Sequence, residues 1–142
     1  MIILDTNVIS ELIRPTPNQN VVTWVDNQPG HAIHITAITL AELLYGVARL
    51  PDGRRKRELA EQIESMIDID LDHRVIAFDE TAAVHHADIV TRRERAGRPM
   101  NATDAQIAAI TRSHGATLAT PNTDDFTDTA ITIINPWTNP SD

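Results

Sequence analysis

The 142-residue chain reads as an α/β protein built on a central, mostly parallel five-stranded sheet. Three observations predict this. Short apolar, β-branched runs recur at Ile2-Ile3-Leu4, Ile33-His34-Ile35, Val75-Ile76-Ala77, Thr117-Leu118-Ala119 and Ile131-Thr132-Ile133-Ile134. Each lacks the polar alternation of a strand with one wet face and reads as a buried strand. Helical periodicity fills most of the intervals, and strands alternating with helices imply a parallel sheet covered on both faces.

The helices are expected over residues 39–50, 53–67, 80–96 and 103–114. The first sets Leu40, Leu43, Leu44 and Val47 on one face, and the last has Ile107 and Ile110 as its apolar positions. Thr39-Leu-Ala-Glu42 and Thr103-Asp-Ala-Gln106 both have the form of a capping box, in which Thr caps the helix and the acid or amide reaches back. Gly97 and Gly115 stand where helix C-caps belong. There is no internal repeat, low-complexity tract or linker, so residues 1–142 are expected to form one domain. The proline-rich end, Asn135-Pro-Trp-Thr-Asn-Pro, is expected outside the sheet.

Composition narrows the classes of function. The chain has no cysteine, which removes disulfides and thiolate zinc sites and fits a reducing cytoplasm. No signal-like or membrane-spanning apolar stretch is present, so a soluble, intracellular protein with no membrane partner is expected. The formal net charge of −8 argues against holding nucleic acid through a broad basic surface, leaving only local grip. Two basic runs could supply it, Arg54-Arg55-Lys56-Arg57 and Arg92-Arg93 with Arg95 and Arg98. They read better as solvated helix faces pairing with Glu58, Glu61 and Glu94.

The acids carry the chemistry. Open α/β sheets bind ligands outside the carboxyl ends of their strands, where strand order reverses. Asp5 ends the first strand, Glu42 and Asp104 sit in first turns of helices, and Asn122, Thr123, Asp124 and Asp125 follow the strand at 117–119. Carboxylates gathered at one edge must take up protons or bind a cation. With oxygen donors only, that cation is magnesium or manganese rather than zinc, and the chemistry that follows is phosphodiester hydrolysis. Each acid also has a plain structural use: Glu42 in a capping box, Asp104 at a helix N-terminus, Asp125 in a turn. Their shared edge favours the site.

At this point Leu4-Asp5-Thr6-Asn7-Val8-Ile9-Ser10-Glu11-Leu12 resembles the opening motif of PIN domains, especially the VapC and FitB toxin nucleases. Thr39–Gly46 (TLAELLYG) resembles the second motif with its acid at Glu42, and Asn101-Ala-Thr-Asp104-Ala-Gln-Ile-Ala-Ala the third with its acid at Asp104. Ala119-Thr-Pro-Asn-Thr-Asp-Asp-Phe126 resembles the fourth, and Ile133-Ile-Asn-Pro-Trp137 the FitB-like ending. The resemblance runs essentially end to end. It implies a PIN-like α/β/α sandwich and a divalent-metal endoribonuclease acting on RNA. It also implies Mg2+ or Mn2+ on Asp5, Glu42 and Asp104, with Thr6 and Asn7 orienting the first acid. Asp125 is favoured over Asn122 as the fourth site residue. Pro121 stands where an arginine is common, which puts in doubt any part that arginine plays in fixing the loop. By analogy the chain is expected to be the toxin of a VapBC-type pair, a homodimer with a cognate VapB-like antitoxin as partner.

Other features carry less. His85 and His86 are adjacent on a helix, point about 100° apart and cannot chelate together. Tyr45, Trp24 and Trp137 could stack on bases, but read better as core or dimer packing. A haloacid-dehalogenase-type phosphatase needs a second Asp where Asn7 stands, and a phosphorelay receiver needs a strand-end lysine, whereas the one lysine is Lys56 in a charged helical run. The serious alternative is a PIN-fold binding or assembly protein that has lost catalysis.

Overall fold

The computed structural model describes residues 1–138. Its sheet comprises β1 (Ile2–Leu4), β2 (Ile33–Thr36), β3 (Val75–Ile76), β4 (Thr117–Ala119) and β5 (Thr132–Ile134), in the order β3-β2-β1-β4-β5. All four pairings are parallel, with Ile2 opposite Ile33 and Thr117, and Leu4 opposite Ala119. The chain builds outward from β1 to β3, then returns to the other side of β1 for β4. The strand order therefore reverses beside β1, and the carboxyl ends of β1 and β4 flank the crevice where such sheets bind ligands.

Helices α1 (Thr6–Leu12), α2 (Gln19–Asp26), α3 (Ala37–Ala48) and α4 (Arg54–Ser65) precede α5 (Glu80–Arg95) and α6 (Ala102–Ser113). Alternation along β1 divides the core into two layers. Leu4 packs on one face with Val8, Ile9, Val21, Ile35, Leu43 and Ile63, whereas Ile3 packs on the other with Ile89, Ile107, Ile110, Leu118 and Phe126. The expected α/β/α sandwich is observed.

Several local expectations are corrected. β3 and β5 are edge strands and only partly buried, because each has one neighbour and a single covered face. Ala77 falls outside β3, and Ile131 outside β5. Helices α1 and α2 were not among the expected ones. They are short, and α2 is announced only by its cap, Asn18, whose side chain accepts from the Asn20 amide at 2.9 Å. On α3, Leu43 and Val47 are buried as expected, but Leu44 is 51% exposed.

Both expected capping boxes are displaced. Thr36, not Thr39, caps α3, accepting from the Thr39 amide at 3.0 Å, and Asn101, not Thr103, caps α6, accepting from the Asp104 amide at 3.0 Å. Glu42 and Gln106 are thus too far into their helices to reach back to those caps. Gly97 (φ 71°) and Gly115 (φ 58°) do follow α5 and α6 in the left-handed conformation. There Arg98 N donates to Arg93 O, and Ala116 N to Thr111 O, closing each helix with a six-to-one bond.

The basic runs divide. Arg54 pairs with Glu58 at 2.7 Å on an exposed face, and Arg92 pairs with Asp88 rather than Glu94. Arg93, however, is 5% exposed and buried among backbone carbonyls, so the second run is not simply a solvated face. Residues 135–138 lie outside the sheet, with Trp137 packed on the first core layer; Asn139 and Pro140 lie outside the described residues. Trp24 packs on the same layer, but Tyr45 is 65% exposed and stacks under Arg49 instead of entering the core. No helix among the described residues is long and apolar enough to cross a membrane.

Candidate active site

The switch point fixes the first acid. Asp5 follows β1 directly and caps α1, with Oδ1 accepting from the Thr6 amide at 2.8 Å. Because Leu4 pairs with Ala119, the next residue of each strand meets across the crevice, and Thr120 Oγ1 donates to Asp5 Oδ2 at 2.8 Å. Asp5 is 3% exposed and Thr120 is fully buried. Burial pushes the Asp5 carboxyl above its ordinary range, opposed by the Thr120, Thr6 and Asn7 donors and reinforced by the charge of Glu42. Thr6 and Asn7 are thus both neighbours of the first acid.

Glu42 enters from one turn inside α3. Its Oε1 accepts from Thr6 Oγ1 at 2.7 Å, and the same hydroxyl lies 3.1 Å from Thr39 Oγ1. Thr6 thus ties Asp5 through its backbone to Glu42 through its side chain. Capping by Thr36 sets that register, because it places Thr39 and Glu42 one turn apart on the face toward α1.

Asp104 arrives from the opposite layer, as the third residue of α6, where its amide is spoken for by Asn101. A helix N-terminus ordinarily favours an ionised carboxylate. Here the opposite wins: burial, then the charges of Asp5, Asp125 and Glu42, push Asp104 up to about 6. The four acids expected from the sequence therefore share one electrostatic environment, although they come from four separate segments.

Asp125 lies on the single-turn helix Thr123–Phe126, with its amide donating to Asn122 O at 3.0 Å. Its carboxylate is the one from this loop that acts on Asp104. Asn122 engages instead through its backbone, its amide donating to Thr120 Oγ1 at 3.1 Å. The loop is anchored from below by Arg93, whose Nη1 donates to Asp125 O at 3.1 Å and Thr127 O at 2.6 Å while Nε donates to Arg98 O at 2.6 Å. Pro121 therefore does not leave the loop unsupported.

Sequence reasoning missed Thr120, Thr36 and Arg93. Thr120 was legible in principle, since it follows β4 as Asp5 follows β1. Arg93 was hidden in a basic run, because nothing local distinguishes the arginine that turns inward.

The donors are all oxygens, the set preferred by hard divalent cations. Among the described residues no three acidic or histidine side chains close into a ready-made cage. Mg2+ keeps several waters and takes one or two protein carboxylates together with substrate phosphate. The set fits magnesium or manganese.

A buried carboxylate at the switch point of a parallel sheet, with a second carboxyl nearby that feels its charge and those of Glu42 and Asp125, defines an acidic-crevice α/β protein. The PIN domain family model matches residues 2–131, and the chain belongs to that family. It is 41% identical over 137 residues to the toxin FitB of Neisseria gonorrhoeae, covering 96% of this chain and 99% of that protein. It is 38% identical over 137 residues to the VapC ribonuclease Y4jK of Sinorhizobium fredii, covering 96% and 98%. Its fold matches a solved structure of FitAB bound to an IR36 DNA fragment with a TM-score of 0.91 and 40% identity, over 98% of this chain and 97% of that one.

Proposed function

We propose that the protein is a divalent-metal-dependent endoribonuclease, the toxin of a VapBC-type toxin–antitoxin pair, hydrolysing RNA phosphodiester bonds in the cytoplasm. The observation that carries the reading is Asp5, buried at the switch point, held on both oxygens by Thr120 and the Thr6 amide and linked through Thr6 to Glu42. Acids gathered against their own repulsion take up protons or bind a cation, and oxygen donors suit a hard divalent one. Relatives called a toxin and a ribonuclease, matched over nearly the whole chain, support the same activity.

In this reading Asp5 and Asp104 hold Mg2+ or Mn2+, with Glu42 and Asp125 completing the acidic ring. When bound, the cation supplies an acidified, oriented water and neutralises charge on the attacked phosphate. The chain's own residues prepare that step. Thr120 and the Thr6 amide occupy one lone pair on each Asp5 oxygen, fixing the carboxylate while its remaining lone pairs stay available. Thr6 Oγ1 orients Glu42. The acidic groove equally suits an arginine side chain from an antitoxin tail, and the chain is taken to work as a homodimer.

The test is cleavage of a mixed structured-RNA pool by the antitoxin-free protein with Mg2+, Mn2+ or chelator, beside Asp5→Asn. Metal-dependent cutting that drops at least a hundredfold in the variant is expected. An antitoxin-free protein inert with every metal would make the catalytically inactive, nucleic-acid-binding reading the better one.

A further inference from the structure

Outside the acidic crevice, α5 and α6 frame an open depression of about 850 Å³ together with the segment leading into β5. Arg92 and Arg95 of α5 and Arg112 of α6 line it, with the carboxylates of Asp88 and Asp128. Three guanidiniums against two carboxylates leave a positive depression on a chain whose net charge is −8.

Asp88 presets two of these arginines. Its carboxylate accepts from Arg92 Nε at 3.1 Å and from Arg112 Nη2 at 2.7 Å, and Arg112 Nε donates to His85 Nδ1 at 2.7 Å. These bonds use only part of each guanidinium's five donors, and Arg95 forms no ion pair among the described residues. A helix C-terminus favours a cation. It does not require two helices to converge their cations on one cavity.

A single stretch of chain runs from the candidate active site to the depression, whose Ala130 lies two residues before the amino end of β5. Arg93, next to Arg92, holds the carbonyls of Asp125 and Thr127. Asp128 (φ 61°) and Ala130 (φ 58°) then adopt left-handed backbone that non-glycine residues enter at a cost, and buried Thr129 donates to Phe126 O to hold the segment. Asp125 and Asp128 are three residues apart, at most roughly 10 Å of extended chain.

We propose that this arginine-lined depression binds the phosphodiester backbone of the RNA strand flanking the scissile phosphate, which positions substrate for the acidic site. The proposal rests on the ribonuclease reading above. An acidic crevice on an acidic chain repels a polyanion, so the strand needs cations beside the crevice, and planar guanidiniums suit phosphate oxygens.

The test is binding of end-labelled bulk tRNA, by fluorescence anisotropy across a salt series, to the non-cleaving Asp5→Asn protein. Arg92→Gln and Arg95→Ala are added together, with Arg55→Ala as an exposed control for net charge and thermal melting as a control for folding. The pair is expected to weaken binding roughly tenfold and to lower the salt slope by about 0.7 per arginine, with Arg55→Ala close to the parent. Unchanged affinity and slope overturn the groove while leaving the ribonuclease reading intact. So does an equal loss in Arg55→Ala. A parent protein that neither binds nor cuts RNA overturns both.

Discussion

Thr120 shows how much of the site depends on one hydroxyl. It is fully buried and supplies the donor on Asp5 Oδ2, so Thr120→Val keeps the shape and leaves a buried carboxylate oxygen without its partner. The expected loss is about 1–3 kcal/mol in urea unfolding, together with reduced cleavage, and Thr120→Ser should restore both. Asp104 sets a pH dependence. Its pKa in the folded chain is raised from an ordinary 3.8 to about 6, so the folded state holds the extra proton between these limits. Its contribution to stability is fully present below about pH 4 and is lost as pH rises through about 6. Thermal melting in chelator should therefore show this decline in the parent and a weaker one in Asp104→Asn. An identical profile in both proteins would assign the decline to other groups.

At the scale of elements, the site depends on helix starts and one loop rather than on strands. Thr36 and Asn101 set the registers that bring Glu42 and Asp104 inward, and each was misread by three or two residues because a neighbouring Thr has the same capping chemistry. The loop after β4 depends on Arg93. Replacing it with Met keeps length and apolar stem but removes the donors to Arg98, Asp125 and Thr127 carbonyls. Arg93→Met is expected to cost about 3 kcal/mol and to speed hydrogen exchange at the Asp125 amide, while the amides of α4 keep the parent's protection relative to global unfolding. Equal protection of the loop in parent and variant would show that Arg93 does not anchor it.

On the scale of the whole molecule, the candidate metal ligands belong to both core layers. Asp5 and Glu42 come from segments packed on the α1–α4 side, while Asp104 comes from α6 on the other. A cation shared between them cross-links the sandwich at its crevice and binds only the folded chain. Manganese at about a hundredfold above its dissociation constant should then stabilise the protein by about 2.7 kcal/mol, read as a concentration-dependent rise in melting temperature. Asp5→Asn and Asp104→Asn should both lose the rise. If either retains it in full, the ion sits elsewhere.

The strands, four of the six helices and the parallel sandwich were legible in the sequence alone. Those features are written in short-range patterns: apolar runs and helical periodicity. Only the packed chain sets which threonine caps α3, that Arg93 turns inward, and that Leu44 and Tyr45 face outward. The reason is physical. A side chain's local propensity is nearly the same whether it faces solvent or a buried carbonyl, and its partner is fixed only when strands far apart in sequence, such as β1 and β4, are laid side by side.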